Sequence, residues 1–327
     1  MAPADLPVVR HTVPHQLRQL GNQVAEVQFT LDVQKSRGRS GAAAEKRRSA
    51  IEALLRDLCD RHPHARIAVV DYDSDANRAV GARFFGGRRV PVKNHYGGPI
   101  YSYFYGWHAA SHDLVFHLDC DMLLGGGSET WVAEAVELLR SRDDTVLVSP
   151  FPGPPSDTGL SPDALRRHTG NAPRSPRRLS GELTYAFPKA TTRLMLFDRV
   201  KLVDRVGALP LARPRARSIA RAVLEGHSPY ELAEEMITRR MEQRDLWRVD
   251  VFGSAPGMWS LHPSMRSDEF LAALPELVRR VEEGDVPDEQ VGDFNVNDSM
   301  VDWTSARRAL REKTWPRRLA RRWLRVG

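Results

Sequence analysis

Cysteine is nearly absent from this chain of 327 residues. The two present, Cys59 and Cys120, fall in a helical stretch and at a strand end, so neither a disulfide framework nor a cysteine-based zinc site is supported, and reducing surroundings fit. Lysine is scarce as well, 6 against 42 arginines, a bias that reads as coding composition rather than mechanism. No stretch approaches the roughly 18 apolar residues of a membrane span, and Met1 to Leu20 has neither an apolar core run nor a small-residue cleavage pattern. These absences predict a cytoplasmic protein. Net positive charge is missing from the body: nine Lys/Arg and one acidic residue in 305–327 hold +8, leaving −2 on residues 1–304 out of a total of +6. The high pI therefore belongs to the tail, and the body has no electrostatic footprint for nucleic acid.

With 41% hydrophobic and 28% charged residues, the chain has enough apolar material for a full core. An alternating strand is predicted over Glu26–Asp32, followed by a polar loop, Gln34–Gly41, and a helix over Ala42–Arg61 that stops at His62-Pro63. The apolar run Ala65–Asp71 reads as a buried parallel strand leading into the acidic turn Tyr72-Asp73-Ser74-Asp75. A helix over Tyr101–Ala110 and a strand over Leu114–Leu118 repeat the alternation, which continues with a helix from about Glu129 to Arg140 and a strand over Thr145–Ser149.

Residues 150–180 are rich in Pro, Gly, Ser and Arg and read as a long mobile surface loop, of the kind that is functional or disordered. A strand pair is expected within Leu183–Asp198. Helices follow over Val200–Val206, Pro229–Gln243 and Glu269–Glu282, with a strand over Trp247–Phe252 between the last two. The expectation is an α/β protein: a Rossmann-like nucleotide-binding sheet with helices on both faces, mixed toward its C-terminal half, plus a C-terminal helical extension. Residues 1–304 form the main domain, in two halves at about 24–149 and about 150–304. The tail, 305–327, places Ala306, Ala309, Leu310, Leu319, Ala320, Trp323 and Leu324 on one face among arginines, as two basic amphipathic helices divided near Trp315-Pro316. Such a segment rests on an anionic membrane surface, or packs on the body or on a second subunit.

In doubly wound sheets ligands gather beyond the carboxyl ends of the strands. Asp119 and Asp121 flank Cys120 at such an end, where alternation points both carboxylates one way. Two convergent carboxylates make a hard oxygen site for Mg²⁺ or Mn²⁺ shared with a diphosphate. A strand-end turn accounts equally for a lone D-x-D. Thr30 and Asp32 after the first strand, with Asp71 and Asp73 after the second, bracket a base and ribose, or serve as ordinary turn caps. The aromatic run Tyr101–His108 suits either a core or a sugar face. Lys93–Gly98 is a phosphate or sugar contact, or a simple connector.

The segment Val115–Leu123 (VFHLDCDML) resembles the DxD region of GT-A glycosyltransferases of the family 2 type, and Val70–Asp75 is similar to their second-strand nucleotide loop. Thr191–Gly207 resembles their strand, basic residue and short helix; the likeness spans roughly 24–262. It implies a nucleotide-diphosphate-sugar donor, a metal held by Asp119 and Asp121, with Asp119 serving the metal or the ribose, and Trp107 or His108 near the donor. Gly257–Pro263 resembles the segment from which many members supply a histidine to the metal, here His262, an imidazole that favours Mn²⁺. Glu234 and Glu235 sit where inverting members carry an acidic pair, one of which is the catalytic base. The family more often has Glu-Asp there, which leaves the choice open with Glu235 preferred. The same glutamates, among Arg239, Arg240 and Arg244, also fit a solvated helix face.

The expected activity is metal-dependent transfer of a sugar to an acceptor hydroxyl, small-molecule or lipid-linked, with inversion. A retaining enzyme shares the metal site. A sugar-nucleotide pyrophosphorylase would need a Gly-rich basic signature, which Gln34–Gly41 (QKSRGRSG) does not match. A non-catalytic nucleotide- or membrane-binding protein on the same sheet is the remaining alternative.

Overall fold

The computed structural model describes residues 1–34, 39–169, 174–181, 183–224 and 226–311. Apolar residues spaced by three and four, Leu6, Val9, Val13, Leu17 and Leu20, form α1 (Leu6–Leu20), which continues through Pro14 and buries this face. Then come β1 (Val27–Leu31), α2 (Arg39–Arg61), β2 (Ala65–Val69), α3 (Ser74–Phe84), α4 (Tyr101–Ala109), β3 (Leu114–Leu118), β4 (Leu123–Gly125), α5 (Trp131–Ser141) and β5 (Thr145–Pro152). The second half holds α6 (Pro162–Thr169), β6 (Arg177–Arg178), β7 (Thr184–Phe187), β8 (Leu194–Asp198), α7 (Arg199–Val206), α8 (Ala216–Leu224) and α9 (Ala233–Gln243). It ends with β9 (Trp247–Val251), β10 (Trp259–Pro263), α10 (Asp268–Glu283) and β11 (Asn295–Val296). The α/β class is as expected.

The sheet is not continuous. β1 and β2 pair in parallel with each other alone, whereas β5 stands inside a mixed nine-stranded sheet with β9 and β10 parallel to it and β8 antiparallel. β3 joins that sheet only through antiparallel β8, so β1 and β3 face each other across a gap. β5 is buried along its whole length, the mark of a central strand, while every residue of β3 is only half-buried.

Two expectations need correction. β7 and β8 are not a strand pair: β7 lies between β6 and β9, and β8 between β3 and β5, because β8 is needed to close the free edge of β3. The stretch 150–180 is not a simple loop. Its start is buried strand, and it contains α6, whose Ala164 packs with Phe151, Leu160 and Phe187. α1, α3, α6, α8, β4, β6, β10 and β11 are additions to the pattern read from sequence. Residues 304–311 are helical, with Ala306 packed beside Trp303; the remaining tail expectations fall on 312–327, outside the described residues. Among the described residues no helix is long and apolar enough to cross a membrane.

Close approaches fix the elements that surround the gap. Gly106 lets α4 lie on β1, since a Cβ there would come within 2.8 Å of Thr30 Oγ1. Gly125 accommodates the Trp259 ring, which a Cβ would meet at 2.1 Å, and so allows β4 to pair with β10.

Candidate active site

The gap between β1 and β3 opens into a cavity of about 1420 Å³, walled by α1, α4 and α5. Thr30, Asp32, Trp107 and Asp119 line it together, as do Tyr103, His117 and Arg266. Asp71 and Asp73 do not. The Asp71 carboxylate accepts from the Asp73 N–H at 2.9 Å, and its carbonyl accepts from the Tyr101 hydroxyl at 2.6 Å, so this turn is held by its own hydrogen bonds. Tyr72, between them, packs on the core and does not line the cavity either; burial and the Asp32 charge push its hydroxyl pKa up. Trp107 is almost wholly buried and packs on Phe104 and Phe197, so it serves the core as well as the wall. His108 lies away from the cavity, where burial, Arg83 and Arg199 hold its pKa down. In the Lys93–Gly98 turn, Asn94 Oδ1 accepts from the N–H groups of Tyr96 and Gly98 at 2.9 and 3.0 Å, and Lys93 and Gly97 border the cavity.

β3 ends at Leu118, and Cys120-Asp121 is a turn, so strand alternation does not govern the two carboxylates as the sequence pattern suggested. α1 clamps this turn. Gln16 Nε2 donates to the carbonyls of Asp119 and Met122 at 3.1 and 2.9 Å, and the Thr12 hydroxyl donates to the Cys120 carbonyl. The Cys120 thiol is buried, and burial together with Asp5 raises its pKa to about 12, which removes it as a nucleophile.

The Asp119 Oδ1 atom accepts from the Tyr103 hydroxyl at 2.8 Å and lies 3.7 Å from His117 Nε2; Oδ2 lies 3.9 Å from Arg193. Burial favours its neutral form, but His117, Tyr103 and Arg193 outweigh that and hold the carboxyl below the usual range. The Tyr103 hydroxyl moves the other way, its pKa raised by burial and by the Asp119 charge.

Asp121 is more secluded, 4% exposed. Arg266 donates through Nε and Nη2 to Asp121 Oδ2, at 2.9 and 2.6 Å, and through Nη1 to Asp5. Asp121 Oδ1 is buried and has no hydrogen-bond partner. His262, on β10, stands with Nε2 3.9 Å from Asp121 Oδ2, hydrogen-bonds Arg193 through the same nitrogen, and stacks on Phe294 at 6.0 Å. Burial and the Arg193 charge lower its pKa to about 4, so the ring is neutral near pH 7, with the Nε2 lone pair accepting from Arg193.

Asp119, Asp121 and His262 are therefore neighbours, joined through Arg193. Among the described residues no three His, Cys, Asp or Glu side chains are close enough to hold a metal by themselves. The orphaned Asp121 Oδ1 and the neutral His262 ring are donors suited to a cation that completes its shell with ligand oxygens.

Glu234 and Glu235 open α9, where both approach Lys189 Nζ, at 3.3 and 3.5 Å. Neither lines the cavity, and neither do Asp121, Arg193 and His262. They connect to the acidic site through the 189–193 segment, pinned where the Ala190 N–H donates to Thr238 Oγ1 at 3.0 Å on the same helix. Lys189 and Arg193 are four residues apart, so their Cα atoms lie within about 14 Å.

Sequence reading missed Tyr103, His117, Arg193, Arg266 and Gln16. Tyr103 sat within the aromatic run already singled out, and Arg193 within the Thr191–Gly207 resemblance. Arg266 carries no local signal. A scan against protein-family models finds no match to the chain, and a search of curated proteins finds none either.

Proposed function

We propose that this chain is a glycosyltransferase of GT-A type that moves a sugar from a nucleotide-diphosphate donor to an acceptor hydroxyl with the help of Mn²⁺ or Mg²⁺. The observation that supports it most is the buried, unpartnered Asp121 Oδ1 beside neutral His262 and next to a cavity that Asp119 lines. Asp121 and His262, with Asp119, would hold the metal, whose role when bound is to neutralise charge on the diphosphate leaving group. Thr30 and Asp32 meet the base and ribose, and Asp32 accepts from hydroxyls. Arg193, 43% exposed at its side chain, offers a guanidinium to the diphosphate. Tyr103 and His117 hold the Asp119 carboxylate ionised for this task.

In the inverting form of the reaction the acceptor oxygen bonds to the anomeric carbon as the bond to the diphosphate oxygen breaks, and Glu235 or Glu234 takes the acceptor proton. The pairing of both glutamates with Lys189 favours a second reading, a retaining enzyme with the same metal residues.

Calorimetric titration of UDP and GDP with and without Mn²⁺ tests the proposal. Tighter binding with the metal, lost in Asp121→Ala, is expected, whereas metal-independent binding in both proteins refutes the metal site. Slow hydrolysis of one nucleotide sugar then identifies the donor, and NMR of the product anomer decides between inversion and retention.

A further inference from the structure

Helix α8 presents apolar side chains outward. Ala222 is fully buried against the body, and 200° around the helix from it Leu224 is 88% exposed, with Val223 at 65%. Ala220 and Arg217 are exposed on the same outward side, and Arg213 and Arg215 are exposed just before the helix. Segment 213–227 holds four arginines and one glutamate, a net +3 on a body that is otherwise slightly acidic. Exposed aliphatic residues backed by arginines match the chemistry of an anionic bilayer surface, which takes the apolar tips below the headgroups and pairs guanidinium with phosphate.

A second feature extends the patch. The His227 ring packs on Gly97 so closely that a Cβ would come within 2.8 Å of it, and the His95 N–H donates to the Tyr230 carbonyl at 2.9 Å. These contacts tie the segment after α8 to the 93–99 turn, whose Tyr96 is 59% exposed. Lys93, Gly97 and Pro99 of that turn border the cavity.

We infer that α8 and the Tyr96 turn form a docking face for an anionic membrane surface, set at the rim of the cavity. The inference stands apart from the glycosyltransferase proposal, because it rests on an outer surface and not on the acidic site. Seated there, the protein turns its cavity mouth toward amphiphilic molecules carried in the bilayer.

Flotation of the full chain with phosphatidylcholine vesicles, with and without phosphatidylglycerol, tests this. Binding is expected only with phosphatidylglycerol, weakened by added salt, and at least about tenfold weaker in Val223→Asp/Leu224→Asp and in Arg213→Gln/Arg215→Gln/Arg217→Gln. Both variants alter exposed side chains, and an unchanged circular dichroism spectrum establishes that they fold. Three outcomes overturn the inference: no binding by the wild-type chain, equal binding by the Val223/Leu224 variant, which assigns the contact to the basic tail, or a wild-type dimer that this variant converts to monomer, which assigns the face to a second copy. Loss of vesicle binding with nucleotide binding intact keeps this result distinct from the fate of the active-site proposal.

Discussion

Arg266 places two of its three donating nitrogens, Nε and Nη2, on one oxygen of Asp121, at 2.9 and 2.6 Å, and the other oxygen is buried without a partner. A buried carboxylate oxygen with nothing to accept costs about 1–3 kcal/mol in desolvation. The arrangement persists because Arg266, an exposed side chain itself anchored on Asp5, compensates the charge of the buried Asp121. The outcome is one oxygen spent on structure and one buried without a protein partner.

The first prediction concerns that free oxygen. Asp121→Asn keeps the shape and an acceptor for Arg266 but removes the negative charge. Donor hydrolysis is expected to fall about 10²–10³-fold, with the stimulation by Mn²⁺ lost. Steady-state assays across a Mn²⁺ series check this, and retention of full metal stimulation would rule Asp121 out as a ligand.

The second concerns the base. Both glutamates share Lys189, so charge removal at either is structurally mild, and chemistry should separate them. Glu235→Gln is expected to lower kcat about 10²–10⁴-fold with little change in KM, and Glu234→Gln to change kcat less than about threefold. Equal, small effects in both would move the chemistry to the retaining reading.

How far the sequence anticipated this site follows from how local each signal was. Leu114–Leu118 was recognisable because a short apolar run between a helix and an acidic turn is self-contained, and its strand bounds agree with the structure. The convergence of His262 on Asp121 was anticipated from a resemblance and not from any pattern of spacing. By contrast, the clamp from α1 was hidden by Pro14, which reads as a breaker although Leu6, Val9, Val13 and Leu17 keep helical spacing. Arg193 and Arg266 reach the carboxylates from distant segments, and in a chain with 42 arginines neither stands out. The gap between β1 and β3 was illegible for a different reason: strand pairing depends on which edge is closed by β8, a choice made by tertiary packing.

The third prediction is one of stability. Arg248 and Asp250 form a two-pronged pair at 2.7 and 2.9 Å on β9, both nearly inaccessible, with Arg248 also donating to the Lys189 carbonyl at 2.8 Å. Asp250→Ala strands a buried guanidinium and should destabilise by about 3–5 kcal/mol, whereas Arg248→Leu/Asp250→Leu should cost far less. Thermal unfolding of the three proteins decides it. A single variant as stable as wild type would show the pair to be irrelevant to folding.

The last prediction is a pH dependence that originates in His168. This ring packs between Phe187 and Phe294, at 6.1 and 6.2 Å, and burial, with Arg248 and Arg167 nearby, lowers its pKa from 6.5 to about 4. The unfolded chain therefore binds a proton at His168 before the folded one does. The contribution is fully present above about pH 6.5 and is lost as pH falls toward 4, at about 1.4 kcal/mol per pH unit and up to roughly 3 kcal/mol in all. His168→Gln preserves much of the volume and a polar tip but cannot take up that proton. Urea unfolding between pH 7 and pH 4 should show the variant losing up to about 3 kcal/mol less than wild type over this interval. Parallel pH profiles for the two proteins would mean that His168 takes up its proton as readily in the fold as in the unfolded chain, against the burial and the two arginines that surround it.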